Sequence, residues 1–188
     1  MKKPGIKYLL LANSLLFIIN VMGQDWTAGD NVTLQVNDFA LIETNHAPIT
    51  LSLTTSTAGA AAATTSNSDL FVKISSIVPG GTNREITANI SSGTIPTGTK
   101  LTLVSAACTT TNSGGDLGTP VATPITLSSV DQNLVTGVST CYTGTGYNDG
   151  YQMTFTWEVD DPATNYGQIE SNTIVITVIF TITAHDGN

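Results

Sequence analysis

The residues able to do chemistry are few. Histidine occurs twice, as His46 in the turn-like run TNHAP and as His185, three residues from the C-terminus. A serine or cysteine nucleophile needs a neighbouring base to take its proton, and neither histidine sits in a pattern that supplies one. Lys73 and Lys100 do not stand in a Ser-x-x-Lys arrangement either. Glu158, Asp160 and Asp161 cluster, but glycoside hydrolysis needs two carboxyl groups facing each other across a cleft, and adjacent strand residues point to opposite faces. The same acids, with Asp149 and with Asp116 in a Gly-rich loop, offer hard oxygens of the kind calcium takes. No Asp-x-Asp-x-Asp-Gly loop organises them. The expectation is solvated turn acids, no cofactor, and a chain that is not an enzyme.

Cys108 and Cys141 are the two cysteines. In an oxidising compartment such a pair is most simply one structural disulfide. It would close a loop of about 34 residues and contribute roughly 3–4 kcal/mol. Without nearby histidines the pair makes a poor zinc site. Asn31-Val-Thr and Asn89-Ile-Ser match the short N-glycosylation acceptor pattern.

The stretch richest in candidate contacts is TGYNDGYQMTFTWEVDDP, residues 145–162. Alternation puts Tyr151, Met153, Phe155, Trp157 and Val159 on one face of a strand, and Gln152, Thr154, Thr156 and Glu158 on the other. A sugar platform turns its rings toward solvent. Here they share a face with Met and Val, so Tyr151, Phe155 and Trp157 are expected to fill a core. Asn148-Asp149-Gly150 tolerates positive φ and predicts a hairpin turn. Tyr142, Tyr147 and Tyr166 sit among glycines instead, where their rings could meet a glycan or the cell wall.

These residues must be positioned by strands. Val32, Leu34 and Val36 alternate with polar residues, as do Ile49, Leu51 and Leu53. The same period of two returns at Leu70–Ile74, Ile86–Ile90, Leu101–Leu103, Tyr151–Val159 and Thr173–Ala184, with shorter pieces at Phe39–Ile42 and Ile125–Leu127. Gly-, Pro-, Ser- and Thr-rich turns separate them. The pattern predicts an all-β fold: a single Greek-key β-sandwich of immunoglobulin or pilin type, with about eight or nine strands. In the last run Ile174, Ile176, Val178, Phe180 and Ile182 face one way, while Val175 and Ile179 join threonines on the other. Two placements satisfy it. Either it is a central strand covered on both sides, the simpler arrangement, or its second face is buried in an assembly.

The opening MKKPGIKYLLLANSLLFIINVMGQDW has a basic start, an apolar run and small residues at Val21 and Gly23. It predicts a signal peptide over residues 1–23, shorter in its apolar run than the roughly 20 residues of a membrane span. The protein is then secreted, at the cell surface or in a periplasm. Residues 24–188 remain for one sandwich domain. They carry Lys73, Arg84 and Lys100 against fourteen acids, a net charge of −11. Three cations cannot neutralise a phosphate backbone, so nucleic acid is excluded as a partner, and no later apolar run suggests an integral membrane segment.

A cleavable leader, a Thr-rich β-domain and a closing strand SNTIVITVIF resemble the spore coat protein U and fimbrial-subunit class of secreted bacterial proteins. VTLQVNDFALIE is also similar to small surface proteins of Bacteroidetes. This resemblance implies a β-sandwich used in a surface or fimbria-like structure, with copies of itself or other surface proteins as partners and adhesion as a role. Locally, YQMTFTWEVDDP resembles the distal motif of WxL cell-wall-binding domains, with Tyr151 six residues before Trp157 and Val159 where that motif has leucine.

Overall fold

The computed structural model describes residues 29–184. The expected leader, Trp26 and His185 lie outside the described residues. The chain divides into two compact units, residues 1–35 and 36–188. In the first, residues 29–35 form neither helix nor strand, so the alternation at Val32–Val36 does not produce the expected strand.

The second unit is a two-sheet, antiparallel sandwich. Its strands in chain order are β1 (Phe39–Thr44), β2 (Thr65–Ile77), β3 (Arg84–Ser92), β4 (Thr99–Ser105), β5 (Gly114–Gly115), β6 (Thr119–Pro120), β7 (Ile125–Thr126), β8 (Gln132–Val138), β9 (Cys141–Tyr142), β10 (Tyr151–Val159) and β11 (Thr177–Ala184). The count exceeds the expected eight or nine because four of the eleven are two-residue pieces. The smaller sheet runs β11-β3-β8-β6, and the larger contains the remaining strands. Connections from β2 to β3, β3 to β4 and β10 to β11 each change sheet, the wiring of a Greek-key sandwich rather than of a hairpin meander.

β2 is the spine of the larger sheet. Val72 pairs with Thr44 on one side and Tyr151 on the other, and Ser75 pairs with Leu41 and Tyr142 in the same sense. So β9 and β10 lie end to end along one edge of β2 while β1 takes the other. Residues 144–149 are an excursion from what is otherwise one long strand. This corrects the expected hairpin at Asn148-Asp149-Gly150. The turn there spans Gly146–Asp149, with the Asp149 amide donating to the Gly146 carbonyl at 3.1 Å. The chain rejoins β2 at Gly150, whose φ is 107°. A Cβ at Gly150 would run into the Val72 carbonyl oxygen, so only glycine fits.

Alternation along the long strands builds the core. Val72, Leu103, Tyr151 and Met153 are fully enclosed, and each comes from the inward-facing set of its strand. β8 was not among the expected strands. Its buried Leu134 and Val135 are adjacent, and its pairing with β3 is irregular, so no clean alternation marks it. Ile49–Leu53 does alternate between half-buried and exposed residues, yet it pairs with no strand.

Candidate functional site

The two flanks of the sandwich are built differently. On one, the edges are β6 and β7, two residues each. Pro120 in β6 has no N–H to offer a neighbouring strand. The segment after β7 also ties the sheets together here. The Leu127 amide donates to the Leu101 carbonyl of the larger sheet at 2.9 Å, and the Ser128 carbonyl accepts from Ile90 of the smaller at 2.7 Å. Leu127 itself is buried beneath that seam. This flank is sealed.

The other flank ends in β1, six residues long, and β11, eight residues long. Among the described residues β1 pairs only with β2, and β11 only with β3. β11 is therefore an edge strand, which corrects the simpler of the two expected placements. Its inward row, Val178, Phe180 and Ile182 with Ile176 just before it, packs against the core but is only half-buried. On its outward side Ile179 is 46% exposed; residues 173–176 of the expected run form no strand, and there Val175 is 83% exposed and Ile174 is exposed as well. Phe39 and Leu41 stand exposed on β1. Within the described residues of this unit, six of the ten exposed large hydrophobic side chains fall in two stretches, 36–41 and 174–179.

The chain is anchored at the start of β1. Asp38 accepts a hydrogen bond from Arg84 Nη2 at the first residue of β3, and this guanidinium is nearly enclosed. A charge-assisted bond in partly buried surroundings is stronger than the same pair in water. Lys73 lies 3.7 Å from Glu43 farther along β1.

The expected core aromatics are where alternation puts them. Tyr151 is buried and its hydroxyl donates to the Leu117 carbonyl at 2.6 Å. Burial, and then Cys141, raises the Tyr151 hydroxyl far above the usual phenol range. Phe155 is buried, and Trp157 is half-buried with Nε1 donating to Thr99 Oγ1 at 3.0 Å.

No bridge joins Cys108 to Cys141. Both are free thiols, Cys108 partly buried and Cys141 buried, at the same core cluster. Burial pushes the Cys141 thiol up to about 11, with smaller contributions from Asp116 and Cys108.

The three candidate tyrosines do not form one platform. Tyr147 lines a shallow groove of about 440 Å³ with Phe71, Asp69, Asn148 and Gln152. Tyr142 and Tyr166 are exposed but do not line that groove. Tyr142 lies in β9 over Gly114, and Tyr166 in a short 3-10 helix, Tyr166–Gln168. A bulge shapes the groove: between Met153 and Phe155, β2 spends an extra residue. Asn45 stabilises it by donating to the Asp69 carbonyl at 2.9 Å and accepting from the Phe71 amide at 3.1 Å.

The acids considered for calcium do structural work separately. Asp149 is buried and accepts from the Gly146 amide at 2.7 Å and from Asn112 Nδ2 at 3.2 Å. Asp116 accepts from the Gly118 amide, Asp160 lies 3.5 Å from Lys100, and Asp161 caps the short helix Pro162–Asn165. Among the described residues no three His, Cys, Asp or Glu side chains group as a metal site. His46 is exposed, with φ of 54° and Nε2 4.0 Å from Glu43 Oε1. Among the described residues, no helix is long and apolar enough to cross a membrane.

Comparison of the chain with protein-family models, curated proteins and solved structures returns no match.

Proposed function

We propose that this chain is an exported, non-enzymatic subunit that joins copies of itself in a cell-surface or extracellular assembly. The observation that carries this reading is the open flank: among the described residues β11 is a long apolar strand paired along one edge only. Such edges recruit other strands, and proteins that must stay monomeric shorten, charge or cover them. The sealed flank of this same molecule uses two of those devices, short strands and Pro120. A signal peptide at 1–23 would carry the chain to a compartment where fibre-like assembly is useful, and the closing strand agrees with the likeness to fimbrial subunits. Outside the cytoplasm, a disulfide-donating partner would oxidise Cys108 and Cys141 to the expected bridge. Intact mass without reductant, lower by two hydrogens than the reduced chain, checks that step.

The test is sedimentation of the exported chain over a concentration series, with negative-stain microscopy of the heavier fractions. Growing oligomers are expected. A strictly monomeric species at every concentration would overturn the reading.

A second reading, a glycan- or cell-wall-binding module, is favoured by the groove beside Tyr147. An exposed ring flanked by Asp69, Asn148 and Gln152 combines an apolar face with groups that bond hydroxyls. A glycan array with wild type and Tyr147→Ala separates the two readings. Binding lost in the variant supports the module, and no binding by either protein removes it.

A further inference from the structure

We propose that the groove beside Tyr147 binds a sugar carrying a free ammonium group, with Asp69 as its counter-charge and Tyr147 and Phe71 as its aromatic walls. This rests on the glycan-binding reading above and names its ligand class; it is independent of self-assembly. At about 440 Å³ the groove has the size of a small-molecule site. Among the residues that line it, Asp69 alone is charged.

The walls are fixed by side chains that do not line the groove. Buried Asn45 holds two of them. Its Nδ2 donates to the Asp69 carbonyl at 2.9 Å, while its Oδ1 accepts from the Phe71 amide at 3.1 Å and the Ala47 amide at 3.3 Å. The bulge in β2 sets Ser68 and Asp69 opposite the single residue Thr154, and bulges re-aim side chains beside sites. The third wall is the excursion between β9 and β10 that carries Tyr147. Buried Asp149 pins it, accepting from the Gly146 amide at 2.7 Å and from Asn112 Nδ2 at 3.2 Å. Tyr147 thus owes its place to a detour that sheet pairing does not need. A groove tied down in this way spends little ordering entropy when a ligand arrives.

Its chemistry selects positive charge. Asp69 Oδ2 accepts from Asn67 Nδ2 at 2.9 Å, and among the described residues no Lys, Arg or His pairs with Asp69. A ligand ammonium meets this carboxylate in a charge-assisted bond and meets the ring faces by cation–π attraction. An anionic ligand would meet the same carboxylate as a like charge, with no cation in the lining to offset it. The surroundings favour a hydroxylated ring over an alkyl ammonium. Asn148 and Gln152 supply amide groups. Beyond Gln152, Thr154 and Thr156 continue along the same face of β10, and Thr102 of β4 lies opposite Thr156. A sugar uses these polar groups, whereas an alkyl chain leaves them without partners.

The experiment is calorimetric titration of the full chain with a β-1,4-linked glucosamine trimer and with its N-acetylated counterpart, at mildly acidic pH where the amines are protonated. The free-amine trimer is expected to bind at least about tenfold more tightly than the acetylated one, and less tightly as salt rises. Asp69→Asn should weaken the free-amine trimer at least about tenfold and erase that preference. Tyr147→Ala should weaken both sugars. Glu170→Gln removes the same charge at an exposed position that does not line the groove, and should bind like wild type. Matching circular dichroism and melting curves confirm folding, and the preference of wild type between the two trimers needs no variant. Equal binding of the trimers overturns the ammonium site while the glycan reading stands. Equal losses in Asp69→Asn and Glu170→Gln also overturn it, because the attraction is then diffuse. Wild type that binds neither trimer but binds other sugars on the array overturns this proposal alone; wild type that binds no sugar at all defeats both.

Discussion

The flank closed by β6 and β7 and the flank bounded by β1 and β11 belong to the same two sheets, yet they meet solvent in opposite ways. The first stops its sheets with two-residue strands, a proline and a crossing segment bonded to both layers. The second stops them with six- and eight-residue strands whose apolar side chains are half-covered or bare. Both flanks face the same solvent and the same net charge, so neither composition nor charge accounts for the contrast. Backbone accounting does. Each exposed edge leaves a row of N–H and C=O groups that water must satisfy, and only one flank has removed most of that row.

The largest effect on association should come from adding charge to the open edge. Val175→Lys combined with Ile179→Lys should weaken self-association at least about tenfold, while Thr119→Lys and Thr126→Lys on the sealed flank should leave it unchanged. Sedimentation of the four proteins decides; equal losses on both flanks would erase the contrast. Stability separates the flanks from the layer they share. Leu103→Ala, at a residue with no exposure, should cost about 2–5 kcal/mol in chemical denaturation, whereas the edge lysines should stay within about 0.5 kcal/mol of wild type. A smaller loss is expected at the junction of β9 and β10. Gly150→Ala places a methyl against the Val72 carbonyl at a φ of 107° and should cost more than about 1 kcal/mol, measured by the same denaturation. Pro120→Thr restores one N–H to the sealed edge and should raise association slightly at high concentration, if at all.

The smallest effect is alkaline. In the reduced protein the Cys141 thiol is raised from 9.0 to about 11. A thiol held neutral in the folded state contributes stability below pH 9, and that contribution is lost as pH rises through 11. Cys141→Ala should flatten the fall in melting temperature across that window. Lys100 is raised as well, first by its hydrogen bond to Glu158, but it is solvent-exposed and screening leaves it little weight.

What could be read from the residues, and what could not, divides along the same line. Tyr151–Val159 and Leu70–Ile74 announced themselves because one face is buried and the other is not, and burial is what alternation records. β8 was hidden because Leu134 and Val135 are buried side by side across an irregular pairing, and Gly137 takes a φ of 72°. Ile49–Leu53 shows the converse: side chains can alternate in burial without the backbone finding a partner. The flanks were the least legible. Apolar residues on both faces of residues 173–184 imply that something must cover the second face, but not whether that cover comes from the same chain. Val32–Val36 looked like any other strand, and only its exposure in the folded molecule distinguishes it. Pairing partners are decided by topology, to which the period of a single segment is blind.

The wiring has a kinetic consequence. Among the long strands only β1 and β2 are both consecutive and paired, and residues 45–64 intervene even there. With no tight hairpin to nucleate the sheets, closure must await distant contacts, which places such folds among the millisecond-to-second class. Until the last strand docks on β3, its uncharged Ile- and Val-rich run is available to any passing chain. Slow maturation therefore invites premature clumping, and an escort that shields residues 173–184 during refolding should raise the yield of soluble protein.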